Sequence, residues 1–236
     1  MIRVILVDGL FTIFVPKNGM SRYEMLQLLI VKFLGVRIEV DEIQPVYDAM
    51  RKKWEEILPP NHGEKWAIID REILRALVPT ISLANAALVG KKISHATLSD
   101  PDLYEILPDT RGFLRRAKHR GIRTVFASNQ DKEKLQILIG AFGLGPLVNA
   151  VYVSTEIGHE KPSQDFFEAI LRQENIRADE CVMVGNNPHN DIYGAASVGI
   201  RGILYDRDNA YSDFSGHRVS RLSEVFEIDA IFGERR

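Results

Sequence analysis

The sequence predicts an α/β protein whose parallel-sheet core is interrupted by an inserted helical domain, and three observations carry that expectation. Val4-Ile5-Leu6-Val7 is an unbroken aliphatic run, too short for a helix and without the alternation of a half-exposed strand, so it reads as a strand buried on both faces. From Asp100 onward, short apolar runs alternate with helical stretches, each run ending in a small or polar residue. That is the pattern of parallel strands joined by crossover helices. Between these two regions, residues 16–96 are helical in pattern with no convincing strand. The expected architecture is a three-layer, Rossmann-like core built from 1–15 and 97–236, with 16–96 inserted after the first strand.

Taken in order, the first strand ends at Asp8, and Pro16-Lys17-Asn18-Gly19 then breaks the chain. Ser21 is the N-cap of a first inserted helix, with Glu24 three residues on and Met25, Leu28, Leu29, Lys32 and Phe33 at helical spacing. A second helix spans about Val40 to Leu58 and is closed by Pro59-Pro60. A third spans Lys65 to Leu77, with Trp66, Ile69, Ile73 and Leu77 on one face. In the second half, helices are expected at Pro108–His119, Lys132–Phe142, Gln164–Asn175 and Asp191–Val198. The strands between them are Thr124–Ala127, Ala150–Val153, Cys181–Val184 and Gly202–Tyr205, which makes five with the first.

Composition narrows the function classes. A chain of 236 residues can bury a sizeable core, and 45% hydrophobic with 26% charged content is ordinary for a globular protein. A net charge of -2 argues against a general nucleic-acid surface. The single Cys181 excludes an internal disulfide and a cysteine-based zinc site, and fits a reducing, cytoplasmic setting. Met1 runs straight into the first strand, so no signal peptide is expected, and no apolar run approaches the roughly 20 residues of a membrane span.

If the strands are parallel, their carboxyl ends form one rim, which is where open parallel sheets bind ligands. Asp8, Thr12, Ser128, Asn129, Asn186 and Asp191 collect there, and Lys161 lies in the loop after the third core strand. A carboxylate able to attack, a lysine, a hydroxyl and a second carboxylate are the parts of covalent catalysis by an aspartate nucleophile. Lys161 and Ser128 would hold a transferred anionic group, while Asp8 and Asp191 could share a hard cation such as Mg²⁺.

These residues resemble the four motifs of the haloacid dehalogenase-like hydrolase superfamily, which includes phosphatases and dehalogenases. The matching segments are Asp8-Gly9-Leu10-Phe11-Thr12, Ser128-Asn129, Lys161-Pro162 and Gly185-Asn186-Asn187-Pro188-His189-Asn190-Asp191. The resemblance implies that 16–96 is an α-helical cap domain and that Asp8 is the nucleophile, oriented by Lys161. It further implies that Thr12, Ser128, Asn129 and Lys161 surround the substrate. Mg²⁺ would be held by Asp8, the Leu10 carbonyl, Asn186 and Asp191. A small anionic molecule is the implied partner; oligomeric state is not read from any motif.

Three positions depart from the family pattern. Leu10 stands where phosphatases usually keep a general acid, Phe11 where a glycine usually follows, and Asn186 where an acidic metal ligand usually sits. General acid catalysis is typically worth about 10² to 10⁴ in rate, so an easily departing leaving group is favoured. The expected activity is a low-efficiency Mg²⁺-dependent phosphohydrolase for a small phosphorylated metabolite. Two alternatives stand beside it. One is a metal-independent 2-haloacid dehalogenase using the same Asp8, for which Arg51 is a candidate carboxylate ligand and Phe167 stands where that branch has a tyrosine. The other is a non-catalytic, ligand-binding relative. His159 and His189 read as solvated loop residues, Met50-Arg51-Lys52-Lys53 as a solvated helix face, and Trp54, Trp66 and Phe33 as the core of the inserted domain.

Overall fold

The computed structural model describes residues 1–58 and 64–233, so the Pro59-Pro60 helix stop expected above lies outside the described residues. The chain begins with β1 (Val4–Val7) and β2 (Phe14–Pro16), then forms four helices. These are α1 (Arg22–Leu34), α2 (Val40–Ile57), α3 (Lys65–Leu77) and α4 (Leu83–Ser99). It continues through β3 (Tyr104–Ile106), α5 (Thr110–His119), β4 (Arg123–Ser128), α6 (Lys132–Ala141) and β5 (Ala150–Val153). The last part holds α7 (Ser154–Ile157), α8 (Gln164–Glu174), β6 (Cys181–Gly185), β7 (Arg201–Tyr205) and β8 (His217–Val219).

Six strands make one sheet in the order β5-β4-β1-β6-β7-β8, every pair parallel, and β2 with β3 makes a separate two-stranded sheet. β1 is central: Ile5 is paired with Thr124 on one side and Val182 on the other. Its four side chains are at most 1% exposed, so each contributes on the order of 1.5–3 kcal/mol of burial. Val4, Leu6, Val125, Ala127, Cys181 and Met183 meet Phe166, Phe167 and Ile170 of α8 in one core layer. Elsewhere Phe14 stacks on Phe126 with ring centroids 6.0 Å apart and tilts against Phe142 at 5.8 Å.

Two compact units are present, Met1–Val15 with Glu105–Arg236 and Pro16–Tyr104. Within the helical unit, α1 opens on the expected capping box. The Ser21 side chain accepts from the Glu24 N–H, and the Glu24 carboxylate accepts from the Ser21 N–H at 2.6 Å. The helix ends at Gly35 with φ 68°, a left-handed cap that glycine adopts without strain. α4 has no counterpart in the sequence-based expectation. Its buried face is mostly small residues, among them Ala86, Gly90, Ser94 and Thr97, with Val89 and Ile93 the larger apolar ones. A Cβ at Gly90 would sit 2.7 Å from the Arg71 nitrogen, so α3 and α4 touch backbone to backbone there.

Candidate active site

The sheet order reverses between β1 and β6. The chain winds outward from β1 through β4 to β5, then returns to β6 and winds the other way, which creates a crevice at the carboxyl ends of β1 and β6. Asp8 leaves β1 there, its N–H donating to the Val184 carbonyl at 2.9 Å, and Asn186 follows β6 directly. The loop after Asp8 is a tight turn. The Gly9 carbonyl accepts from the N–H groups of Ile13 and Phe14 at 2.9 and 3.0 Å, and the Phe11 N–H donates to the Phe14 carbonyl at 2.7 Å. That turn buries Thr12 completely and places its hydroxyl 3.2 Å from Asn186 Oδ1 and 3.5 Å from Asp8 Oδ2. One hydroxyl proton serves one acceptor at a time, and the shorter contact is to Asn186.

Lys161 is the centre of the charge arrangement. Its Nζ donates to Asp8 Oδ1 at 2.7 Å and to Asp191 Oδ1 at 2.6 Å. The three side chains are 3%, 13% and 1% exposed for Lys161, Asp8 and Asp191, so two negative charges and one positive charge are held almost out of water. Burial pushes the Asp8 carboxyl up to about 6, against the pull of the Lys161 ammonium and with an added push from Asp191. Burial works against the Lys161 charge, but Asp191 and Asp8 outweigh it and hold the ammonium above its ordinary value.

The flanking loops hold these groups in place. Asn129 grips the Lys161 peptide from both sides: its Nδ2 donates to the Lys161 carbonyl at 2.9 Å, and its Oδ1 accepts from the Lys161 N–H at 2.8 Å. Asn129 is thus engaged by the chain itself, which motif reading alone does not foresee. Ser128, 3% exposed, ends β4 with its Oγ accepting from the Gln130 N–H at 3.1 Å. Asp191 does not cap the helix in which it lies. Asn187 does, accepting from the Asn190 N–H at 2.9 Å, while the Asn187 N–H donates to Asp191 Oδ2 at 3.0 Å. Gly185 makes room for that carboxylate, since a Cβ there would lie 2.3 Å from Asp191 Oδ2. Asn187 and Gly185 are the residues the motif reading passes over. Their signal lies in the fourth motif itself, where the shortest residue stands opposite the acid.

Leu10 and Phe11 occupy the turn itself. Leu10 forms an isolated bridge with Phe14, and Phe11 has φ 65°, a left-handed conformation that costs a non-glycine residue on the order of 1–3 kcal/mol. Two further candidates belong to the core unit, and a third, Arg51, to the helical unit. Phe167 is fully buried edge-on against Phe166 at 5.3 Å and is core, and His159 is an exposed partner of Asp165 at 3.5 Å. The Arg51 guanidinium lies 5.8 Å from the Trp66 ring centroid in the helical unit.

Among the described residues no three histidine, cysteine, aspartate or glutamate side chains cluster as a metal site. A cation would rely on two carboxylates, Asp8 and Asp191, supplemented by the Asn186 amide oxygen and the Leu10 carbonyl. The set is all oxygen, and the buried triad carries one unbalanced negative charge, so the residues fit a hard cation.

The parallel sheet, its switch point and a rim carrying an aspartate bridged to a lysine define a Rossmann-like α/β scaffold with its candidate site at the carboxyl ends of the strands. A family model for the haloacid dehalogenase-like hydrolases matches residues 6–199, and the chain belongs to that family. It is 30% identical to a phosphoserine phosphatase of Thermus thermophilus over 60% of this chain and 58% of that one. It is 26% identical to a glyceraldehyde 3-phosphate phosphatase of Pyrococcus furiosus over 52% and 53% of the two chains. The chain spans about half the length of the curated relatives it matches. Solved structures share the fold across the whole chain. The hydrolase YfnB of Bacillus subtilis, solved with magnesium, superposes with a TM-score of 0.75 at 14% identity, covering 98% of this chain and 99% of that one. A 2-haloacid dehalogenase of Pseudomonas syringae superposes with a TM-score of 0.69 at 17% identity over 98% and 99% of the chains.

Proposed function

We propose that this protein is a Mg²⁺-dependent phosphohydrolase that acts on a small phosphorylated metabolite with a good leaving group, through a covalent aspartyl-phosphate on Asp8. The observation that carries the reading is the Lys161 ammonium held between Asp8 and Asp191 at the switch point of the sheet. The phosphatases among the similar proteins support it, since they act on small phosphorylated compounds by their names.

In the first step a carboxylate oxygen of Asp8 attacks phosphorus, and the bond from phosphorus to the leaving oxygen breaks with its electron pair on the leaving group. Water then attacks phosphorus, the bond to Asp8 breaks with its electron pair returning to the carboxylate, and inorganic phosphate leaves carrying the water's oxygen, its surplus proton passing to solvent. Lys161 keeps Asp8 oriented and offsets charge building on the phosphoryl oxygens, and the Ser128 hydroxyl can donate to one of them. Asp8, Asp191, Asn186 and the Leu10 carbonyl would hold Mg²⁺, which supplies charge neutralisation at the transferring group. Leu10 offers no proton to the departing oxygen, so leaving groups that depart as stable anions react best.

The reading is tested by phosphate release from acetyl phosphate and p-nitrophenyl phosphate with and without Mg²⁺. Activity is expected with the metal, lost in Asp8→Asn and raised in Leu10→Asp by up to about 10²-fold, the lower value for a general acid. Chloride release from 2-chloropropionate in the presence of EDTA would replace this reading with the dehalogenase. Neither activity would leave a ligand-binding relative.

A further inference from the structure

We propose that the Phe11 ring is a specificity-determining surface that packs against an aromatic or apolar leaving group of the substrate. The inference rests on the phosphohydrolase reading and deepens it by naming the leaving-group class.

Two properties of Phe11 oppose folding. Its φ of 65° is a conformation that glycine adopts freely and that a phenylalanine adopts under strain. The residue is also 54% exposed, so much of its ring remains in water and burial does not offset that strain. The conformation is imposed by its surroundings. The Phe11 N–H is tied to the Phe14 carbonyl at 2.7 Å, while Gly9 and Phe14 close the turn across it. Glycine would satisfy the same turn without strain and without an exposed ring, so stability gives no account of the side chain.

Position supplies one. Phe11 immediately precedes Thr12, whose hydroxyl reaches both Asp8 Oδ2 and Asn186 Oδ1, and it stands three residues after the candidate nucleophile in the turn that leaves the carboxyl end of β1. It carries no donor or acceptor and recognises a partner only by apolar or stacking contact. Leu10 points the same way by chemistry. Without a general acid the leaving oxygen must be stable as an anion, and oxygens attached to aromatic or conjugated groups meet that need and present a flat face. The missing proton donor and the added ring thus select one substrate class, aryl-type or conjugated phosphate esters.

The test compares wild type, Phe11→Gly and Phe11→Leu on p-nitrophenyl phosphate and acetyl phosphate with Mg²⁺. Phe11→Gly is expected to lower the ratio of kcat/KM for the aryl ester over the acyl phosphate by about tenfold, chiefly through KM, which corresponds to about 1.4 kcal/mol. The same variant should raise Tm by about 2–4 °C as the strain is relieved. Phe11→Leu keeps the strained backbone and an apolar side chain, so an intermediate ratio separates the ring's contact from a relaxed loop. An unchanged ratio in Phe11→Gly, with activity still dependent on Asp8, overturns the inference while leaving the phosphohydrolase reading intact. If the wild type turns over neither ester, that reading fails and the ring is judged by binding. Phenylphosphonate should then raise Tm more than methylphosphonate in the wild type but not in Phe11→Gly, and equal shifts or none overturn the inference. A change in solution mass on Phe11→Gly, with no change in ratio or binding, would instead assign the ring to an interface between copies.

Discussion

A single amide decides how firmly the buried lysine is aimed. Asn129 makes two hydrogen bonds to the Lys161 backbone, at 2.8 and 2.9 Å, and Lys161 Nζ in turn serves two carboxylates. Asn129→Ala leaves a peptide N–H and C=O without these partners, at on the order of 1–3 kcal/mol each where water does not replace them. The expected result is a lower Tm together with at least about a tenfold loss of kcat on acetyl phosphate, because the ammonium no longer sits squarely between Asp8 and Asp191. Asn129→Asp keeps the acceptor for the Lys161 N–H and loses the donor, so its kcat should fall between the two. Motif reading finds Asn129 without finding this arrangement. Asp8 is legible as sequence because a carboxylate at the end of a buried apolar run needs a use, and Lys161 and Asp191 are legible through the motifs that resemble the family pattern. Which backbone an asparagine grips depends on where two loops, about 30 residues apart, meet in space.

Helix α3 carries a buried acid that bears on stability. Asp70 is 1% exposed, and its Oδ2 has no hydrogen-bond partner among the described residues. Burial pushes its carboxyl up to about 7 from an ordinary 3.8, and the Arg22 guanidinium only partly restrains the rise. The folded chain therefore keeps a proton in a window where the unfolded chain has lost it, so stability falls as pH rises from about 4 to about 7. The difference is on the order of 4 kcal/mol at about 1.4 kcal/mol per unit. Asp70→Asn should remove most of that slope, melting higher than the wild type at about pH 8 and losing the advantage near pH 4, as thermal melts across that range would read. Elements differ in legibility for a related reason. β1, β4 and β6 announce themselves through contiguous large apolar side chains that fill both faces of the sheet. α4 does not, because its buried face has only Val89 and Ile93 as large apolar residues among Ala86, Gly90, Ser94, Ala96, Thr97 and Ser99, with Gly90 in backbone contact with α3, so it is faint to a search for large apolar stripes. β2, β3 and β8 have three residues each, below the length at which any periodicity registers.

For the whole molecule, ligand binding and folding are linked. A ligand present at a hundred times its Kd stabilises the folded state by about 2.7 kcal/mol, or about 5–10 °C in Tm for a chain of this size. Mg²⁺ with orthovanadate should produce a rise of that order in the wild type and none in Asp8→Ala, read by thermal melts. An equal rise in the variant would place the binding away from the rim. The central place of β1 also has a consequence for how the chain is made. Ile5 is synthesised well before its two neighbours in the sheet, Thr124 and Val182. At synthesis rates of about 5–20 residues per second, the most apolar strand waits on the order of ten seconds with both edges unpaired. The nascent chain thus holds Asp8 well before Asn186 and Asp191 exist and cannot bring the three together until β6 has been made, so the candidate site is completed only after β6 emerges.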